Sequence, residues 1–121
     1  MYEKPRLLIV DDDSSLVETT ADVLATQGFE VTVAESGSQA LAAAAQGGFQ
    51  LVLVDMVMPL MDGVETVKGL KKLSPQTRVL MMTGYSGEDL VREALRWGAS
   101  GVVPKPLDPR GMTRVLEKAL G

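Results

Sequence analysis

Five short strand-like runs recur along the chain, at 7–10, 31–34, 51–54, 79–82 and 101–103, and one stretch of helical periodicity follows each of them. The first, third and fourth runs are apolar throughout rather than alternating. Uninterrupted apolar runs of this length predict strands covered on both faces, as in a parallel sheet between helix layers. The intervening stretches carry helix signals. In the first, Ser15 and Glu18 stand at capping-box spacing, Val17, Ala21 and Leu24 fall along one face, and Gly28 is a stop. The second is alanine-rich, about 38–46, and ends at Gly47 and Gly48. The third runs over 63–73 and stops before Ser74 and Pro75. The fourth starts at Ser86, has Glu88 and Asp89 in its first turn and ends at Gly98. The fifth takes Asp108 as cap and Pro109 as first helical residue, with Met112, Val115, Leu116 and Ala119 as an apolar stripe. A strand–helix unit repeated five times predicts an α/β fold. The expected architecture is a doubly wound, three-layer sandwich around a five-stranded parallel sheet.

Bulk properties narrow the chemistry. A length of 121 residues is one domain by size, enough to bury a core without staples. The expected organisation is a single domain over 1–121 with residues 1–5 as an N-terminal tail and no output domain. The chain has no cysteine, so a disulfide framework is excluded and a reducing compartment fits. It has no histidine, which removes the commonest general base and metal ligand. Catalysis would run on carboxylates, hydroxyls and lysine, and any divalent ion would be hard and oxygen-ligated. The net charge of −4 argues against direct nucleic-acid binding. The polar start at 1–6 resembles no signal peptide, and no apolar run approaches the ~20 residues of a membrane helix. The expectation is a cytoplasmic protein that does not enter the membrane.

In doubly wound sheets the ligand site lies beyond the carboxyl ends of the strands. There the first strand ends in Asp11, Asp12 and Asp13, the third in Asp55, the fourth in Thr83 and Gly84, and the fifth is followed by Pro104, Lys105 and Pro106. Singly these are bland: an aspartate after a strand is usually a helix cap, Thr-Gly a turn, a lysine before proline a solvated charge. Together they place acids, a hydroxyl and an ammonium on one sheet edge. If the first and third strands are neighbours, Asp11, Asp12 and Asp55 crowd together. Two carboxylates at about 4 Å repel by roughly 4 kcal/mol at an effective dielectric near 20. Three of them call for a cation or for partial protonation. Mg²⁺ (or Mn²⁺) with several waters suits a shallow carboxylate site open to phosphate. With Lys105 and Thr83 opposite, this is equipment for phosphoryl transfer to a carboxylate nucleophile.

The stretches Leu8-Ile9-Val10-Asp11-Asp12, Asp55-Met56-Val57-Met58-Pro59-Leu60-Met61-Asp62-Gly63, Met82-Thr83-Gly84 and Lys105-Pro106 resemble the receiver domains of bacterial two-component response regulators, in order and spacing across essentially the whole chain. The resemblance implies a flavodoxin-like strand order of 2-1-3-4-5. It implies that Asp55 accepts a phosphoryl group from a phosphohistidine of a sensor histidine kinase, from a histidine phosphotransfer domain or from a small phosphodonor. Asp12 would ligate Mg²⁺ directly, Asp11 through water, and the backbone carbonyl of Val57 would complete the protein ligands. Thr83 would hydrogen-bond the phosphoryl group, Lys105 would pair with it, and Gly84 would leave the site open. The Lys105–Pro106 bond would be cis. The protein would catalyse its own phosphorylation and dephosphorylation without being a conventional enzyme, and phosphorylation would shift the surface of helix four, strand five and helix five. A downstream output domain or partner, and a homodimer, are compatible with the same resemblance.

One position departs from the family pattern. Many receivers carry an aromatic residue three positions before the motif lysine; here it is Val102, which puts that route of signal output in doubt. Tyr85 is a candidate substitute, or a gate to water together with Val57. An unchanged acyl-phosphate lifetime in Tyr85→Ala would sink the gating idea. The main alternative is a degenerate receiver, a phosphorylation-independent binding module. Its signature would be loss of an acid, the threonine or the lysine, and none is lost. A haloacid-dehalogenase-like phosphatase would want a second acid where Val57 stands. A nucleotide or flavin module would want G-x-G-x-x-G or G-x-x-x-x-G-K-[ST], and neither occurs.

Overall fold

A computed structural model describes residues 4–55, 63–83, 88–104 and 109–120. Its elements alternate without exception: β1 (Arg6–Val10), α1 (Ser14–Thr26), β2 (Glu30–Ala34), α2 (Gly37–Ala45), β3 (Leu51–Asp55), α3 (Gly63–Leu73), β4 (Arg78–Thr83), α4 (Glu88–Arg96), β5 (Gly101–Pro104) and α5 (Pro109–Leu120). The strands form one sheet of order β2-β1-β3-β4-β5, and every pairing is parallel. This is the doubly wound order expected from the resemblance.

The apolar runs sort themselves by parity. Leu8, Val10, Val52, Val54, Val79 and Met81 join Ala40, Val67 and Leu70 in a core on the α2–α3–α4 side. Leu7, Ile9, Leu51, Leu53, Leu80 and Met82 join Val17, Leu24 and Leu116 on the α1–α5 side. A strand sends alternate side chains to opposite faces, so one that serves two cores must be apolar at every position. β1, β3 and β4 meet that condition. Met81 and Met82 are core residues, as their place in a buried strand predicts.

Two helix starts differ from expectation. Helix α1 begins at Ser14, and the Asp13 carbonyl accepts the Val17 N–H at 3.0 Å. Ser15 therefore lies inside the first turn, where its carbonyl accepts the Thr19 hydroxyl. The aspartate run starts the helix before the serine can cap it. Helix α2 begins one residue earlier than expected because Ser36 is its cap, with its hydroxyl accepting the Gln39 N–H at 3.1 Å. The Gln39 amide oxygen reaches back to the Glu35 N–H at 2.9 Å. This is a variant of the Ser-x-x-Gln capping box, in which the glutamine reaches the residue before the cap rather than the cap itself. Ser36→Ala should cost about 1 kcal/mol. A shift in the urea midpoint with an unchanged slope would register it.

Candidate metal and phosphoryl site

β1 and β3 lie side by side with Val10 opposite Val54, so the chain emerges from adjacent strands at Asp11 and Asp55. The two carboxylates are drawn toward one another by register alone. Asp11 is 3% exposed and Asp55 7%, while Asp12 is open to solvent. One carboxylate oxygen from each of Asp11, Asp12 and Asp55 lies within 4.8 Å of the others. Carboxylate oxygens this close could share one small divalent ion, directly or through its waters. The donor set is all carboxylate, in a chain without histidine or cysteine. Such donors fit a hard divalent cation and disfavour a soft one.

The acids are held in place by backbone. The Asp11 N–H donates to the Ala34 carbonyl at 3.1 Å, which extends the β1–β2 ladder by one residue. Its Oδ1 accepts the Asp13 N–H at 3.0 Å. Asp13 thus orients a buried carboxylate through its main chain and starts α1 through its carbonyl. Sequence reasoning singled out the aspartate run but missed this division of labour. An Asp two residues before a helix start is the signal that could have found it, because aspartate side chains commonly accept the N–H two residues on.

The other expected residues fall differently. Thr83 is the last residue of β4 and pairs with Pro104 of β5. It therefore ends its strand on the same sheet edge as Asp55, which pairs with Met82. Val102, in edge strand β5, is exposed. Val57, Gly84, Tyr85, Lys105 and Pro106 lie outside the described residues, as do Ser86 and Asp108. Trp97, which the sequence alone could not assign to core or surface, is 49% exposed.

Residues 7–117 match the family profile of the response regulator receiver domain. The chain is a response-regulator receiver domain. A receiver domain of Methanospirillum hungatei JF-1 superposes with a TM-score of 0.92 at 32% identity, over 97% of this chain and 94% of that one. The chemotaxis protein CheY4 of Vibrio cholerae gives 0.90 at 31% identity, over 97% and 99% respectively. The transcriptional regulatory protein ZraR of Escherichia coli K12 is 43% identical over 114 residues, which are 94% of this chain but 26% of that protein. The receiver thus spans about a quarter of the length of that relative. Among the described residues, no helix is long and apolar enough to cross a membrane.

Proposed function

We propose that this receiver domain is a phospho-acceptor switch with Asp55 as the phosphorylated residue. The observation that carries the proposal is the convergence of Asp11, Asp12 and Asp55 on one spot at the carboxyl edge of adjacent strands, two of them buried. Burying like charges side by side opposes folding, so such an arrangement points to a use. A carboxylate oxygen of Asp55 attacks phosphorus. The P–N bond of a phosphohistidine on a sensor kinase or phosphotransfer domain breaks with its electron pair going to nitrogen, and the ring, already protonated on its other nitrogen, leaves as neutral imidazole. With acetyl phosphate the P–O bond breaks and acetate leaves. The product is a mixed anhydride on Asp55. Water attacking the same phosphorus returns the carboxylate and releases inorganic phosphate.

Asp11, Asp12 and Asp55, with the Val57 carbonyl, would hold Mg²⁺ or Mn²⁺. When bound, the ion supplies positive charge against which phosphoryl oxygens and carboxylates can approach one another. Thr83 and Lys105 take the phosphoryl oxygens from the other side, and Gly84 and Tyr85 govern access. The added charge biases a two-state equilibrium in the α4–β5–α5 surface. A cytoplasmic location and an output partner outside this chain accord with that role.

Intact mass after incubation with acetyl phosphate and Mg²⁺ tests the reading. One phosphate adduct is expected, mapped to the peptide containing Asp55 and absent with EDTA. If acetyl phosphate, a phosphohistidine donor and beryllofluoride all fail to modify or bind the protein, the domain is a binding module without the chemistry.

A further inference from the structure

At the end of the molecule opposite the carboxylates, the last turns of α3 and α4 meet the start of β4. The sequence there is sorted by charge. Between residues 66 and 80 stand Lys68, Lys71, Lys72 and Arg78 and no acid; between 94 and 101 stands Arg96 and no acid. In a chain of net charge −4 this is a segregated basic region. The structure draws most of it together. Lys71 Nζ donates to the carbonyls of Pro75 at 2.8 Å and Thr77 at 2.9 Å, tying the end of α3 to the approach to β4. The Lys71 stem also passes Gly98 so closely that a Cβ there would lie 3.2 Å from it. Lys68 Nζ sits 4.4 Å above the centre of the Trp97 ring.

This basic end also exposes apolar surface. Among the described residues of α3, α4 and the turn after α4, Trp97, Leu95 and Leu73 are the large apolar ones that face solvent, as do their neighbours Lys72 and Arg96. Of the acids of the same helices, Glu65, Glu88 and Asp89 sit toward the other end, while Glu93 stands three residues before Arg96 and four before Trp97. A cation–π stack half in water contributes about 0.5–1 kcal/mol. It holds the indole in place while leaving part of it uncovered.

We infer that this α3–α4 end is a docking surface for an acidic segment of a partner protein that carries apolar side chains among its carboxylates. Charge complementarity selects the acid, and the exposed tryptophan and leucines select its apolar companions. Tryptophan and arginine are the residues that dominate protein–protein contacts. A nucleic acid or an anionic membrane fits less well, since affinity for a polyanion grows with the number of cations in contact and this end gathers only a handful. The inference does not depend on phosphorylation of Asp55.

Trp97 is the chain's single tryptophan, so its emission reports on this surface without a label. The probe is a blocked peptide of Glu-Glu-Leu repeats, titrated into the unphosphorylated protein without phosphodonor. A saturable change in Trp97 emission is expected, weakened as salt shortens the screening length from about 30 Å at 0.01 M to about 8 Å at 0.15 M. The combined change Lys72→Glu and Arg96→Glu should weaken binding about tenfold or more with an unaltered melting curve. Lys72→Gln with Arg96→Gln should give an intermediate loss and serves if the reversal disturbs folding. No saturable change, or a change indifferent to these substitutions, overturns the inference. So does tighter binding to phosphatidylglycerol vesicles or oligothymidylate, or self-association of the domain through Trp97, each of which names a different occupant.

Discussion

Asp55→Asn is expected to abolish the phosphate adduct and, in EDTA, to make the protein more stable than the parent. The two effects share one cause. Asp11 and Asp55 are buried neighbours, and a carboxylate oxygen of each lies within 4.8 Å of the other and of Asp12. At that distance two unit charges repel by about 3–4 kcal/mol at an effective dielectric near 20. Exposure of Asp12 to water reduces the cost, leaving a gain of about 1–2 kcal/mol when asparagine removes one charge and keeps the shape. A bound divalent ion reverses the order. An ion at a hundred times its Kd stabilises the parent by about 2.7 kcal/mol, because it binds the folded state alone. The variant, with one carboxylate fewer, gains less. Urea unfolding of both proteins, in EDTA and in Mg²⁺, should therefore show the variant ahead in the first and losing its lead in the second. A variant less stable than the parent in EDTA would mean that the three acids do not oppose one another in the folded state. The site reading would then lose its electrostatic basis.

Much of this was legible from residue pattern because the controlling interactions are local or periodic. Strands that feed two cores must be apolar throughout, and β1, β3 and β4 announced themselves in that way. Helix α3 occupies 63–73 as expected, since Gly63, Ser74 and Pro75 bound it in the sequence. Strand order was different. Periodicity cannot say that β1 sits between β2 and β3, because parallel partners are far apart in the chain; that order came only with the family resemblance. The meeting of Asp11 with Asp55 was conditional on the same adjacency and became definite only with the register of Val10 on Val54. Tertiary choices were the least legible. Whether Trp97 faces core or solvent depends on how α4 lies against α3, and the Lys68 contact that settles it joins residues on different elements. Ser36 was missed for a smaller reason: two serines, Ser36 and Ser38, compete for one helix start, and only the bond to the Gln39 N–H distinguishes them.

The second large effect is expected far from any charge. Leu53 is fully buried in β3, the strand flanked by β1 and β4, and belongs to the core shared with Ile9, Leu24, Leu80 and Leu116. Leu53→Ala removes three carbons from a space that sheet and helices border on different sides and that cannot easily close. Such substitutions cost about 2–5 kcal/mol, of which the cavity left behind is a large part. Against a total stability of about 5–15 kcal/mol for a domain of this kind, that is a substantial fraction. Val102→Ala, at an exposed position of edge strand β5, should change stability by about 0.5 kcal/mol or less. Urea denaturation of the pair measures the contrast. Leu53 stands two residues before Asp55 on the same strand, so the variant also separates scaffold from chemistry. Below its melting range it should still form the Mg²⁺-dependent adduct, since the backbone of β3 is held by ladders on both sides. Loss of the adduct in a variant that remains folded would show that the position of Asp55 depends on side-chain packing beneath it. A cost under about 1 kcal/mol would show that the α1–α5 core can collapse around the missing carbons.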